Sequence, residues 1–204
     1  MKSVRMSYQR RLENYRTHLA ETLRRLDLAQ IESFIAALES ARRKGRTVFV
    51  FGNGGSGSTA SHMASDLNKG ASFGQATRFR VICLNDNMPM LMAYANDVSY
   101  ADVFVEPLKN FLRRGDLVVG ISGSGNSENV ILAIDFANRA GALTVGLCGY
   151  DGGRLKKVAR LVVHVVVDDM QVTEDLHLAI GHMAMQALSV EDSGCAGMSE
   201  SKRR

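Results

Sequence analysis

The chain has 204 residues, enough for one domain with a packed core. Apolar residues make up 46% and charged residues 23%, an ordinary soluble composition, and no apolar run approaches the roughly 20 residues that span a bilayer. The net charge of +4 is mild, with its excess in the N-terminal arginines and the closing "SKRR"; with no recognition helix, zinc finger or stacking motif beside it, this is a basic surface rather than a nucleic-acid footprint.

The basic start, "MKSVRMSYQRRLENYRTHLAETLRR", lacks the unbroken apolar stretch of a secretory signal, so a cytoplasmic location is expected. Residues 1 to about 45 read as helical. Leu23, Leu26, Leu28, Ile31, Phe34, Ile35 and Leu38 recur at three- and four-residue steps, and Gly45 is a fitting stop. This apolar stripe is wider than one face of a sheet needs, and helix-to-helix packing between subunits is its natural use.

From residue 46 the pattern changes. Short β-branched runs at 47–52, 78–85, 116–122, 143–149 and 160–167 alternate with helix-like stretches at 56–68, about 88–113, 127–140 and 152–159, and from Thr173 to about 191. The alternation predicts an α/β three-layer sandwich over residues 46–191, a five-stranded parallel sheet of flavodoxin-like or related order with helices on both faces. Residues 192–204 have loop composition. Cys83 and Cys148 fall in strand-like runs as small apolar filler, and with Cys195 they form neither a disulfide framework nor a CxxC pair.

In such sheets ligands bind beyond the carboxyl ends of the strands, where the strand order reverses. Two strand ends stand out, "GNGGSGS" (52–58) and "SGSGNSEN" (122–129). Ser122, Ser124 and Ser127, with Gly123 and Gly125 between them, let hydroxyls and main-chain N–H groups converge on one anion, and a helix starting near Ser127 adds partial positive charge. Neither loop matches GxxxxGK[ST] or a GxGxxG fingerprint. Tight turns of this composition are common, but two in one domain point to a phosphorylated small molecule.

His62 and Asp66 stand four residues apart on one helical face, a spacing that suits two ligands of one metal, a base with its orienting partner, or simply a surface histidine. In "TEDLHLAIGH", Thr173 reads as an N-cap, and Glu174 and Asp175 suit a helix start without any active site. His182 fits a core position as readily as a ligand, and His177 faces elsewhere.

"GNGGS", a histidine six residues beyond that serine, "AND" (95–97), "ISGSGNS" (121–127) and "GYDGGRL" (149–155) together resemble the sugar isomerase (SIS) domain, and within it the phosphoheptose isomerase group. The resemblance runs from the N-terminal helix to about residue 190. It implies an enzyme that converts sedoheptulose 7-phosphate to D-glycero-D-manno-heptose 7-phosphate through an enediol, the first step toward ADP- and GDP-heptose precursors. It also implies a homotetramer with sites at subunit boundaries. Substrate contacts fall by motif on Asn53, Gly54, Gly55, Ser56, Asp66, Asn96, Asp97, Ser122, Gly123, Ser124, Ser127 and Glu174. Gly123 stands where the family often has threonine, which removes one hydroxyl and keeps the N–H.

The family binds a metal, usually zinc, and the matching positions are His62, Asp66, Glu174 and His182, for one ion per subunit. Asp66 replaces a glutamate that also serves as catalytic base, and Glu174 replaces a glutamine. The implied catalytic set is Asp66 or Glu174 taking the proton from C1, with His182 completing the transfer. Asp66 is one methylene shorter than its counterpart, and a misplacement of about 1 Å lowers a rate on the order of 100-fold. Glu174 and His182 are eight residues apart, about 12 Å of helical rise. To share an ion they must lean inward, or Glu174 must precede the regular helix. Two alternatives stay open: a non-catalytic SIS relative that binds the bacterial replication initiator, and an isomerase or sensor of another sugar phosphate.

Overall fold

The N-terminal helical stretch is two helices, α1 (Tyr8–Arg24) and α2 (Leu28–Arg43), in the computed structural model, which describes residues 7–189. The residues at 192–204, Cys195 and the last helix's expected end at 191 lie outside that range. The break falls at Asp27, whose carboxylate accepts from the N–H groups of Ala29 and Gln30 at 3.0 and 3.3 Å and so starts α2 afresh. Gly45, at φ +63°, ends α2 as expected: its N–H reaches the Arg42 carbonyl while that of Arg46 reaches Ala41.

The alternating part follows as β1 (Thr47–Gly52), α3 (Gly54–Ser65), β2 (Arg80–Cys83), α4 (Met88–Asp97), α5 (Val105–Phe111), β3 (Leu117–Ser122), α6 (Glu128–Arg139), β4 (Leu143–Cys148), α7 (Leu155–Val158), β5 (Leu161–His164) and α8 (Met170–Ser189). All pairings are parallel and the order is β2-β1-β3-β4-β5, the flavodoxin-like arrangement. β1 and β3 are neighbours with Gly52 opposite Ile121, and from them the chain winds outward in opposite directions. The order therefore reverses between the tips of these two strands.

Side-chain alternation divides the interior in two. Val48, Val50, Leu117, Val119, Ile121, Val145 and Leu147 face α2, α3 and α8, where Phe34, Leu38, Met63, Leu176 and Ile180 are buried. Phe49, Phe51 and Val118 face the other layer, with Phe104 just before α5 and Leu108, Val130, Ile134 and Leu155 from α5, α6 and α7. α3 and α6, the helices that follow the two motif-bearing loops, thus lie on opposite faces of the sheet.

Two boundaries differ from the sequence expectation. The stretch 88–113 is not one helix. Ser99 has extended backbone, its hydroxyl accepts from the Ala101 N–H at 2.9 Å to start a short turn, and Pro107 is tolerated only because α5 begins afresh at Val105. α8 begins at Met170 rather than Thr173. Asp169 Oδ1 accepts from the Val172 N–H at 3.1 Å, whereas Thr173 is fully buried and donates its hydroxyl to the Asp169 carbonyl. Among the described residues no helix is long and apolar enough to cross a membrane.

Candidate active site

Both loops open at the strand-order reversal. α3 begins directly after Asn53 and α6 directly after Ser127, and neither of these residues makes a side-chain cap bond, although in α6 the Val130 N–H is taken by Asn129 Oδ1. Two helix starts that face one space favour negative charge there. That space is a cavity of about 260 Å³ lined by Asn53, Gly54, Gly55, Ser56, Ile121, Ser122, Gly123, Ser124, Ser127, Met170 and Glu174. The structure thus brings together all eight expected residues from the two loops. Ser122 is buried and donates its hydroxyl to that of Ser127 at 3.0 Å, and Ser124 Oγ accepts from the Asn126 N–H at 3.2 Å. "GYDGGRL" braces this loop from behind: Leu155 N–H donates to the Gly125 carbonyl at 2.8 Å and Arg154 N–H to Asn126 Oδ1 at 3.1 Å.

A second cavity of about 570 Å³ shares Asn53 and Gly54 with the first and continues past Asn85, Met88, Leu91, Met92, Asn96, Tyr100 and Phe104. Asn96 therefore lines the wider space. Its amide donates to Asp97 Oδ1 at 2.7 Å, and Asp97 itself lines neither of the two cavities.

α3 and α8 pack side by side and carry the histidines toward each other. His62 Nε2 and His182 Nε2 are 3.0 Å apart, and Asp66 Oδ2 lies 3.4 Å from the first and 3.7 Å from the second. Asp66 sits where α3 widens into a π-helical turn, Asp66–Gly70, a distortion that recurs at functional sites. Gly181 of α8 faces Met63 of α3, where a Cβ would meet Met63 Cε at an ordinary contact distance of 3.4 Å.

These three residues fit a divalent cation. Atoms bound at about 2.0–2.1 Å to a tetrahedral zinc lie about 3.3 Å from one another, and the observed spacings bracket that value. Asp66 Oδ2 is buried without a hydrogen-bond partner, an arrangement that a cation satisfies. Two imidazoles and one carboxylate are a donor set that zinc accepts, and three protein ligands leave a coordination position open.

Glu174 stands outside this cluster. It lies within the regular part of α8, not ahead of it, and its carboxylate hangs directly over Gly55: a Cβ added to Gly55 would fall 2.5 Å from both Cδ and Oε1. The structure therefore separates two groups that the sequence expectation combined, an imidazole–carboxylate cluster and a carboxylate inside the serine-lined cavity.

A SIS domain model matches residues 11–149. The chain belongs to the SIS-domain family. It is 37% identical over 158 residues to a probable phosphoheptose isomerase of Thermoplasma acidophilum, covering 78% of this chain and 86% of that protein. It is 33% identical to the phosphoheptose isomerase of Akkermansia muciniphila, over 80% of this chain and 86% of that one. Among solved structures, a phosphoheptose isomerase from Francisella tularensis superimposes with a TM-score of 0.83 at 23% identity, over 90% of this chain and 99% of the other.

Within this SIS domain several residues near the cavities were not singled out by sequence. Asn85 clamps the end of β1: its Oδ1 accepts from Gly52 N–H at 3.2 Å and its amide donates to the Gly52 carbonyl at 2.8 Å, extending the sheet pairing by a side chain. Asn129 and Tyr100 bond to Asn53. Asn129 closes the serine-rich motif, and Tyr100 closely follows "AND", so nearness to known motifs was the one available signal. His177 is fully buried on the far side of α8 from the histidine pair, and burial pushes it down to about 4, opposed by the Cys148 main chain and reinforced by His164. Burial likewise raises the Cys83 and Cys148 thiols to about 12, which leaves both unreactive filler.

Proposed function

We propose that this chain is a phosphoheptose isomerase that interconverts sedoheptulose 7-phosphate and D-glycero-D-manno-heptose 7-phosphate. The observation that carries the reading is that Glu174, on α8, shares one cavity with Ser56, Ser122, Ser124 and Ser127. A phosphate held by the serines and the two helix starts would keep the sugar between Glu174 and the edge of the wider cavity at Asn53. The names of the relatives support the same chemistry.

The reaction moves one proton between C1 and C2. A carboxylate takes the C1 proton of the ketose, the electron pair forms the enediol double bond, and the same carboxylate returns the proton to C2 while the oxygens exchange theirs. Asp66 turns its Oδ2 to the imidazoles, so Glu174 is the base on this reading. His182 turns Nε2 to the cluster and lines neither cavity, so on this reading it holds the metal and is not the proton carrier. His62, Asp66 and His182 would hold one zinc per subunit, which when bound polarises a sugar oxygen and favours charge on it.

A homotetramer is part of the proposal. α4 has no buried residue and exposes Met88 and Met92, and α1 exposes Tyr8 and Leu12, apolar surface that a second copy would cover. Light scattering on the purified chain tests this.

The activity is tested by following sedoheptulose 7-phosphate turnover beside a panel of pentose and hexose phosphates. Glu174→Gln should lower kcat by roughly 100-fold or more. Turnover of another sugar phosphate but not the heptose, or full kcat in Glu174→Gln, would refute the assignment.

A further inference from the structure

The two amides of Asn53 and Asn129 face each other across the crevice between β1 and β3. Asn53 Nδ2 donates to Asn129 Oδ1 at 2.8 Å, and Asn129 Nδ2 donates to Asn53 Oδ1 at 3.0 Å. Asn129 is only 2% exposed. An amide pair of this kind could in principle be turned over as a whole, exchanging every donor for an acceptor. Here it cannot. The main-chain N–H of Val130 points at Asn129 Oδ1 from 2.9 Å, and a main-chain N–H can only donate.

That one fixed donor sets the whole chain. Asn129 must present oxygen to Val130 and N–H to Asn53, so Asn53 must turn its oxygen to Asn129 Nδ2. Tyr100 adds a second donor to that oxygen, its hydroxyl lying 2.9 Å away. Turning Asn53 alone would set donor against donor and acceptor against acceptor. Its oxygen is thus fully engaged, one Nδ2 proton is engaged, and a single Nδ2 proton is left. Asn53 lines both cavities, so that proton is what its side chain offers to a ligand lying across them.

We propose that Asn129 and Tyr100 are positioning residues that lock Asn53 as a hydrogen-bond donor to an oxygen of the bound sugar phosphate. The inference rests on the isomerase reading for the identity of the ligand. Asn129 lines neither cavity and acts only through Asn53; Tyr100 lines the wider cavity, and its positioning role is the part of its effect that disappears without Asn53.

The test is a double-mutant cycle on the full-length protein with sedoheptulose 7-phosphate, read in kcat and KM, with Kd from calorimetry and thermal unfolding alongside. Asn53→Asp, which replaces the free donor by an acceptor of the same shape, should lower kcat/KM about 100-fold. Asn129→Ala should lower it about tenfold in the wild-type background and have no further effect when Asn53 is already alanine. Asn129→Asp keeps the Val130 contact but cannot donate to Asn53, and should match Asn129→Ala even if the latter folds poorly. Tyr100→Phe should show a loss of about threefold, again absent without Asn53.

Equal losses from Asn129→Ala in both backgrounds would mean a merely structural role and overturn the proposal. So would Asn53→Ala with unchanged kcat/KM, which leaves the isomerase reading intact. Wild-type binding without turnover would sink the isomerase reading alone, since the cycle is then read in Kd. Absence of both binding and turnover would overturn the two together.

Discussion

Substituting alanine for Gly55 moves one group by a known amount. Gly55 has no left-handed backbone requirement, so the new methyl brings no backbone strain, and the atoms it meets are the carboxylate of Glu174, with Cδ and Oε1 at 2.5 Å. Ordinary contact begins near 3.5 Å, so the carboxylate must retreat by about 1 Å. It can do so by rotating the end of a flexible side chain, without disturbing α3 or α8. The fold should therefore survive, with the melting temperature within a few degrees of wild type. If Glu174 is the proton-transfer group, a 1 Å displacement should lower kcat on the order of 100-fold. The assay is kcat for sedoheptulose 7-phosphate together with a melting curve. Gly55→Ala with full kcat would refute the role given to Glu174, and a large fall in melting temperature would refute the claim that only a side-chain end gives way.

Two further outcomes follow from the site and its surroundings. Asp66→Asn should abolish stoichiometric zinc, measured by elemental analysis of the purified protein, because a neutral amide replaces the one anionic ligand in the cluster; treating the wild type with chelator and restoring zinc should reproduce and reverse the loss of turnover. His177 titrates near its ordinary 6.5 once unfolded but at about 4 when buried, so the unfolded chain binds the extra proton between those values. Stability should be unaffected by this group above pH 6.5, fall by about 3 kcal/mol in total as pH drops to 4, and flatten below. His177→Leu should remove that fall from urea titrations run across the range, and an unchanged acid slope would show that other groups cause it.

What could be read from the sequence shares one property: its physical cause is local. Strands buried on both faces appear as unbroken runs such as "VFVF" and "LVVGI", and the glycine- and serine-rich loops are built from atoms a few residues apart. Where the cause was distant, reading failed or stayed open. α8 starts three residues early because Asp169, outside the periodic stretch, caps it. Whether Glu174 joins His62, Asp66 and His182 depends on how α3 and α8 lie against each other, which no local pattern records. The amide pair between Asn53 and Asn129 joins residues 76 positions apart and exists only because β1 and β3 are neighbours. The helix expected at 88–113 failed for a smaller reason: Ser99 is a better cap than a helix interior residue, and its effect outweighs the apolar periodicity around it.

The helices that open onto the serine-lined cavity belong to opposite sides of the sheet, α3 packed with α2 and α8, α6 with α5 and α7. A dianion seated there fastens two half-interiors that the strands otherwise keep apart. Occupancy should thus stiffen the molecule from its middle outward, slowing amide exchange in both layers at once, and a protein loaded with its ligand would resist coming apart along the very seam where the chain reverses its winding.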